Sequence, residues 1–233
     1  MFGFKKKPAE EVYRYERKYL IEHVTFAEIN RVCLLHPKGF QPIFAPRTIN
    51  NIYFDTVGFR DYVDNVEGEQ HRVKVRIRWY GELLGYKRKP VLEYKIKDGL
   101  MGYKDSYTLS PFSLDEQFSR EKFLEILETS KIPLSVKHEL SSLQPTLLNQ
   151  YDRHYYMSFD KKFRLTVDNN LHFHKISYNN PVALERSFKR NAIVLEMKYA
   201  TADDDEARNI STFFPFPLTK NSKYIEGIDR LFT

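Results

Sequence analysis

The chain has one cysteine in 233 residues, Cys33, so no internal disulfide is available to it. No apolar run reaches the roughly 18 residues that a membrane span needs. The basic start, Met1 to Lys7, lacks the apolar stretch of a signal peptide. These absences fit a reducing, cytoplasmic location and no membrane insertion by this chain. There is no glycine-rich phosphate loop, no Cys/His zinc spacing and no nucleophile elbow. Internal repeats and low-complexity tracts are also missing.

What is present is aromatic and basic. Sixteen Tyr, 18 Phe and a 42% hydrophobic content favour a packed core rich in β structure. The net charge is +6, and its placement matters more than its size. In His71-Arg72-Val73-Lys74-Val75-Arg76-Ile77-Arg78-Trp79, side chains alternate between the two faces of a strand. Arg72, Lys74, Arg76 and Arg78 therefore point one way, and Val73, Val75, Ile77 and Trp79 the other. The pattern recurs in Arg14-x-Glu16-x-Lys18, Glu93-x-Lys95-x-Lys97, Arg164-x-Thr166-x-Asp168 and Glu196-x-Lys198. One charged strand face is ordinarily a solvated one. A solvent face needs no sign bias, however, and across these segments together bases outnumber acids. General stickiness to nucleic acid would more naturally use loops, tails and helices, so no nucleic-acid partner is expected.

Residues 1–11 read as a short mobile start, followed by a strand at about Val12–Glu22. Thr25 and Glu28 form a capping box for a helix that Pro37 ends. Cys33 shares a helical face with Phe26 and Ile29 and reads as core. Strands are expected at Asn50–Asp55, Arg72–Tyr80, Pro90–Lys97 and Tyr103–Leu109, with a helical turn at Phe59–Asn65. Residues 113–143 change to helical spacing, with Pro133 between two helices, and read as an insertion within a single domain of residues 1–233. Strands resume at Gln150–Phe159, Phe163–Val167, Leu171–His174 and Ala192–Tyr199. A helix capped by Asp203–Asp205 and a short amphipathic helix at Tyr224–Phe232 complete the chain. His172-x-His174 shares a strand face but has no third ligand nearby in sequence. The expected fold class is α+β: a closed antiparallel β-barrel tunnel of about eight strands, with helices packed outside. Closure would let one strand face pack on helices while the charged face lines a wet interior.

Six motifs in order carry a family resemblance: Tyr15-Glu16-Arg17-Lys18-Tyr19, Arg76-Ile77-Arg78-Trp79-Tyr80-Gly81, Leu92-Glu93-Tyr94-Lys95, Arg164-Leu165-Thr166-Val167-Asp168, Leu195-Glu196-Met197-Lys198 and Ser222-Lys223-Tyr224. The set resembles the polyphosphate-polymerase domain of the vacuolar transporter chaperone (VTC) family, within the triphosphate tunnel metalloenzymes, relatives of the CYTH phosphatases. The resemblance implies a tunnel that binds a nucleoside triphosphate and polyphosphate together with Mn²⁺ or Mg²⁺. The terminal phosphoryl of the nucleotide, ATP by expectation, would pass to a growing polyphosphate chain. It implies phosphate-binding roles for Lys18, Arg76, Arg78, Lys95, Arg153, Arg164 and Lys223; Tyr151, on the same face as Arg153, is by expectation a further phosphate ligand through its hydroxyl. Glu196 is the implied metal ligand, and Lys18, Arg76, Arg78 and Glu196 the implied catalytic set. Lys198, Lys220, Arg72, Lys74 and Lys97 are further candidates; Glu16 and Glu93 would orient neighbouring cations or a water.

The chemistry suits the resemblance. Phosphoryl transfer needs positioning and charge neutralisation more than covalent help. Arg gives a bidentate fork to phosphate oxygens and Lys a point charge. The hydrolase relatives usually begin with Glu-x-Glu-x-Lys, whereas this chain has Arg14-x-Glu16-x-Lys18. Losing that carboxylate weakens water activation and resembles the polymerase branch. Eukaryotic polymerases of the family carry an inositol-phosphate-sensing domain and membrane helices with no counterpart in these residues, so regulation and transport of product do not carry over, and a membrane-protein partner stays open. Two other readings stay open: a metal-dependent triphosphatase or tripolyphosphatase of the same fold, and a non-enzymatic module that binds polyphosphate or inositol phosphates.

Overall fold

The computed structural model describes residues 14–99, 101–178, 186–189 and 192–232, with backbone alone for Arg14, Met101 and residues 186–189. The expected mobile start at residues 1–11 and the side chain of Arg14 lie outside the described residues. In chain order the elements are β1 (Arg14–Glu22), α1 (Phe26–Leu34), β2 (Gln41–Asp55), α2 (Arg60–Glu67), β3 (His71–Tyr80), β4 (Gly85–Lys87), β5 (Val91–Asp98), β6 (Met101–Thr108), β7 (Phe112–Leu114), α3 (Arg120–Thr129), α4 (Leu134–Ser142), β8 (Gln144–Met157), β9 (Arg164–Lys175), β10 (Arg186–Lys189), β11 (Ala192–Ala200), α5 (Asp204–Ser211) and α6 (Lys223–Phe232). The main sheet is antiparallel throughout, in the order β1-β11-β9-β8-β2-β3-β5-β6, with β10 added to β9.

Its convex face is apolar because the residues that alternate with the charged ones along each strand are apolar. Ile52, Phe54, Val75, Ile77, Trp79, Leu92, Tyr94 and Ile96 pack under α3 and α4 with Phe123, Leu127 and Leu140. Tyr19, Ile21, Leu165, Val167, Leu195 and Met197 pack under α1 and α5 with Ile29, Cys33 and Ile210. Cys33 is thus the core residue its helical spacing implies, and the Thr25–Glu28 capping box is formed. Each buried Val, Leu, Ile, Phe or Met among them contributes about 1.5–3 kcal/mol by leaving water.

The expectation of a closed barrel with every helix outside is corrected in two ways. First, β1 and β6 are the ends of the ladder and do not pair with each other among the described residues. The sheet curls far enough that Glu16 on β1 reaches Lys95 on β5 at 3.5 Å. Residues 219–222 bridge β1 to β3. The Thr219 amide donates to the Lys18 carbonyl at 2.8 Å, the Leu20 amide donates to Thr219 Oγ1 at 2.8 Å, and Lys74 Nζ donates to Ser222 Oγ at 3.0 Å. This segment satisfies the free edge of β1, which would otherwise be a template for association. Second, α6 lies inside the curl. Tyr224 and Ile228 pack with Ile49, Tyr53, Leu147, Tyr151, Leu171, Phe173 and Val194, so α6 fills part of the concave face. Tyr224 stacks on Tyr53 at 5.1 Å. Its hydroxyl donates to the buried Asp55, which also accepts the first amides of α2 from Asp61 and Tyr62.

Strand lengths also differ from the sequence expectation. β2 starts at Gln41 rather than Asn50, because register shifts let Pro42 and Pro46 sit in its first half without breaking the ladder. The two strands expected at Phe163–Val167 and Leu171–His174 form one element, β9, which passes through Asn170 at φ +51°.

Candidate active site

The concave face collects the charged side chains that strand alternation predicts. Lys18 and Glu16 come from β1, Glu196 and Lys198 from β11, Asp168 from β9, and Tyr151 and Arg153 from β8. β3 adds Arg76 and Arg78, β5 adds Glu93 and Lys95, and the first residue of α6 adds Lys223. Cross-strand register makes the pairs. Lys18 lies opposite Glu196, Glu16 opposite Lys198, Arg153 opposite Asp168 and Arg76 opposite Glu93.

The deepest group is built on Asp168, which is fully buried. Arg153 grips it through Nε at 2.5 Å and Nη2 at 2.6 Å, and Lys223 reaches it at 2.5 Å. Both cations lie over the Tyr151 ring, at 5.3 and 4.6 Å from its centroid. Burial would raise the Tyr151 pKa, but Arg153 and Arg78 bring it below the usual phenol value. Its hydroxyl accepts from Arg78 Nη2 at 3.4 Å. Asn51 Oδ1 accepts from Arg78 Nε at 2.9 Å, and Asn149 fixes Asn51. Arg76 pairs with Glu93 at 2.6 Å and donates to the Tyr53 hydroxyl at 3.2 Å. Burial opposes ionisation of Glu93, yet Arg76, Arg78 and Lys104 carry its pKa down to about 2.

At the seam, Lys18 touches Glu16 at 3.3 Å, Glu196 at 3.2 Å and the Asn221 carbonyl at 3.1 Å. Glu196 also meets Lys198 at 3.5 Å and Arg153 at 3.8 Å. Burial works against its charge, but Lys18, Lys198 and Arg153 hold its carboxyl well below the usual range. For Glu16, burial and Glu196 raise the pKa, while Lys95, Lys18 and Lys198 together lower it. Glu16 pulls the Lys95 pKa up; desolvation, Lys18 and Lys198 pull harder, bringing it down to about 8. Lys95 keeps 48% of its side chain exposed, so water in the concavity screens much of that repulsion.

Lys74 is different in kind. Its hydrogen bond goes to Ser222, and burial together with Lys95, Lys18, Arg72 and Arg76 pushes its pKa down to about 7. Arg72 Nε is buried without a hydrogen-bond partner. Burial, Arg72, Lys18 and Lys220 depress the Lys97 pKa. This end of the concavity thus carries positive charge beyond what its acids neutralise.

The remaining sequence candidates lie at the margins. Arg164 is exposed and lies opposite Lys198, where both line a cavity of about 240 Å³ with Lys161 and Lys162. Lys220 is exposed and neighbours Lys97 at the other end. Sequence reading gave no role to Asp168, Asn51, Tyr53, Lys104 or Ser222. Asp168 had the signal, a carboxylate in phase with Arg164 on a basic face; Asn51 and Tyr53 sit in an apolar-looking run that hides them.

Among the described residues, no three His, Cys, Asp or Glu side chains form a ready metal cage. His172 and His174 sit on β9 against Gln150 and Leu148 of β8 and contribute to no such group. Glu16 and Glu196 do offer a fit. Both touch the same ammonium, and the buried Glu16 Oε1 has that ion pair, at 3.3 Å, in place of a hydrogen bond. Two hard carboxylates brought together on one ammonium suit Mg²⁺ or Mn²⁺, with phosphate oxygens and water completing the shell.

No curated protein matches the sequence. Among solved structures, a putative adenylyl cyclase from Hippeastrum, described as having a dominant triphosphatase activity, aligns at a TM-score of 0.51 with 13% identity. The alignment covers 94% of this chain and 98% of that one. A putative adenylate cyclase from Vibrio parahaemolyticus aligns at 0.51 with 9% identity, covering 94% and 99%. These likenesses establish a shared fold. No helix of the described residues is long and apolar enough to cross a membrane. The VTC domain model matches residues 13–232, nearly the whole chain, and the protein belongs to the VTC domain family.

Proposed function

We propose that this protein is a metal-dependent polyphosphate polymerase: the γ-phosphoryl of a nucleoside triphosphate, ATP in the first instance, moves to the terminal oxygen of an inorganic polyphosphate chain, and the nucleoside diphosphate leaves. The observation that carries the reading is the surplus of cations on the concave face, with Lys74 held among Lys95, Lys18, Arg72 and Arg76. Such a wall favours a polyanion that threads it.

In this reading Lys18, Arg76, Arg78, Lys95, Arg153 and Lys223 hold successive phosphates and Tyr151 orients its neighbours' charges. Arg164 and Lys198 extend the path at one end and Lys220 at the other. Glu196 and Glu16 hold the divalent cation, which when bound neutralises charge building on the transferred group. The carboxylates speak for transfer over hydrolysis. Glu196, Glu16 and Asp168 all have pKa values lowered by neighbouring cations against the effect of burial, which makes them weak bases. A water nucleophile needs a base, whereas a terminal phosphate oxygen is already anionic. The charge lines a concavity rather than an exposed helix or tail, which favours a single-chain phosphate ligand over nucleic acid.

The test is incubation with ATP and Mn²⁺, with polyphosphate, ADP and free phosphate quantified, and Glu196→Gln in parallel. Polyphosphate in step with ADP, lost in the variant, is the expected result. Free phosphate with ADP would make the protein a hydrolase, and no turnover with Mn²⁺ or Mg²⁺ would leave a binding module.

A further inference from the structure

One end of the concavity carries an exposed aromatic platform. Arg47 Cζ lies 5.2 Å from the Phe44 ring centroid, 5.6 Å from that of Tyr80 and 5.6 Å from that of Tyr155. Phe44 and Tyr155 meet edge to face at 5.6 Å. Phe44 is 51% exposed and Tyr80 54%. Large rings gathered in the open are uncommon unless they meet something.

Their position along the strands says what. Arg47 is the direct cross-strand partner of Arg153. Tyr155 lies two residues beyond Arg153 on β8, and Tyr80 two residues beyond Arg78 on β3. Two residues along a strand return to the same face after about 6.5 Å. The platform therefore begins one side-chain step outward from two of the phosphate-holding guanidinium groups, on the same concave face. No carboxylate among the described residues forms an ion pair with Arg47; rings surround it instead. Ring faces and a guanidinium plane are stacking surfaces for a heteroaromatic base and poor ligands for a phosphate.

The geometry points to Phe44, Tyr80 and Tyr155, gathered around Arg47, as the subsite for the nucleobase of the nucleoside triphosphate, with the phosphates running inward past Arg153 and Arg78. This rests on the nucleotide-using function proposed above. Stacking reads ring area rather than hydrogen-bond pattern. Purine triphosphates are therefore favoured over pyrimidine ones, with little choice between adenine and guanine.

The test compares binding of ATP and of inorganic tripolyphosphate to the full chain by calorimetry. The variants are Phe44→Ser with Tyr80→Ser, and the ring-keeping Tyr80→Phe. In the wild type ATP binds more tightly than tripolyphosphate. The double variant weakens ATP by roughly tenfold, the scale of one base–aromatic stack, and leaves tripolyphosphate unchanged. Tyr80→Phe behaves as wild type. Equal loss for both ligands in the double variant, or no loss for either, overturns the nucleobase assignment while leaving the phosphate site standing. A wild type that binds neither ligand overturns both readings.

Discussion

Arg153 and Asp168 face each other across β8 and β9, and the carboxylate accepts from two nitrogens of the one guanidinium, at 2.5 and 2.6 Å. Lys223 brings a third contact from the start of α6 to the same carboxylate at 2.5 Å. One buried anion therefore holds two cations of the proposed phosphate path and ties the inner helix to the sheet. A lone buried charge costs several kcal/mol, so the group is stable only as a set.

Replacing Asp168 with Asn should destabilise the fold by about 3–5 kcal/mol, because Arg153 and Lys223 lose their buried counter-charge. The shift of the urea midpoint measures it. Tripolyphosphate should restore more stability to this variant than to the wild type, since the ligand brings back negative charge to the freed cations. A variant stabilised no more than the wild type would mean that the phosphates do not reach Arg153.

Lys74 gives a pH dependence with a definite sign. Its pKa falls from the ordinary lysine value to about 7 in the folded state. The unfolded chain then holds a proton that the folded chain has lost, between about pH 7 and pH 10.5. Stability from this group rises with pH across that window, and its cost is fully felt below pH 7. Lys74→Met should raise the urea midpoint at pH 6–7, with the advantage fading toward pH 10. A variant no more stable than the wild type at pH 6 would show that the ammonium is not repelled.

Much of the concave wall is legible in the sequence because a strand has period two. Lys18, Arg76, Arg78, Lys95 and Glu196 can be assigned to one face by counting, and the apolar alternates on the convex side by the same count. Curl and closure are not legible this way. Nothing in the alternation says that residues 219–222 bridge β1 to β3, or that the amphipathic helix after them lies inside the sheet. An apolar helix face looks the same whether it covers a sheet from outside or plugs it from within. The first half of β2, with Pro42 and Pro46, reads as loop until its register shifts are seen. Arg47 and Phe44 were hidden with it.

The meeting of Glu16 and Glu196 on one ammonium leads to a metal prediction. Glu16→Gln keeps the shape but removes one hard donor and part of the clamp on Lys18. The Mn²⁺ concentration needed for half-maximal turnover should rise by at least about tenfold, the scale of losses around metal sites, with tripolyphosphate binding in the absence of metal retained. An unchanged Mn²⁺ requirement would leave Glu196 as the sole carboxylate ligand.

Gly227 connects packing to the site. It is buried in the middle of α6, and a Cβ there would sit 2.8 Å from Phe173 Cδ1 while also striking the Leu147 methyls. Leu147 and Phe173 are themselves almost fully buried, so neither can swing away. Gly→Ala in an exposed helix would gain about 1 kcal/mol from propensity. Overpacking a dense core costs about 1–3 kcal/mol, so the loss should win. Relief comes only if α6 lifts from the concave face, and Lys223, one residue into that helix, would lift with it from Asp168. Gly227→Ala should therefore lower the urea midpoint and also weaken tripolyphosphate binding, although residue 227 touches no proposed ligand. If stability falls while tripolyphosphate affinity stays at the wild-type value, the seating of α6 does not set the position of Lys223.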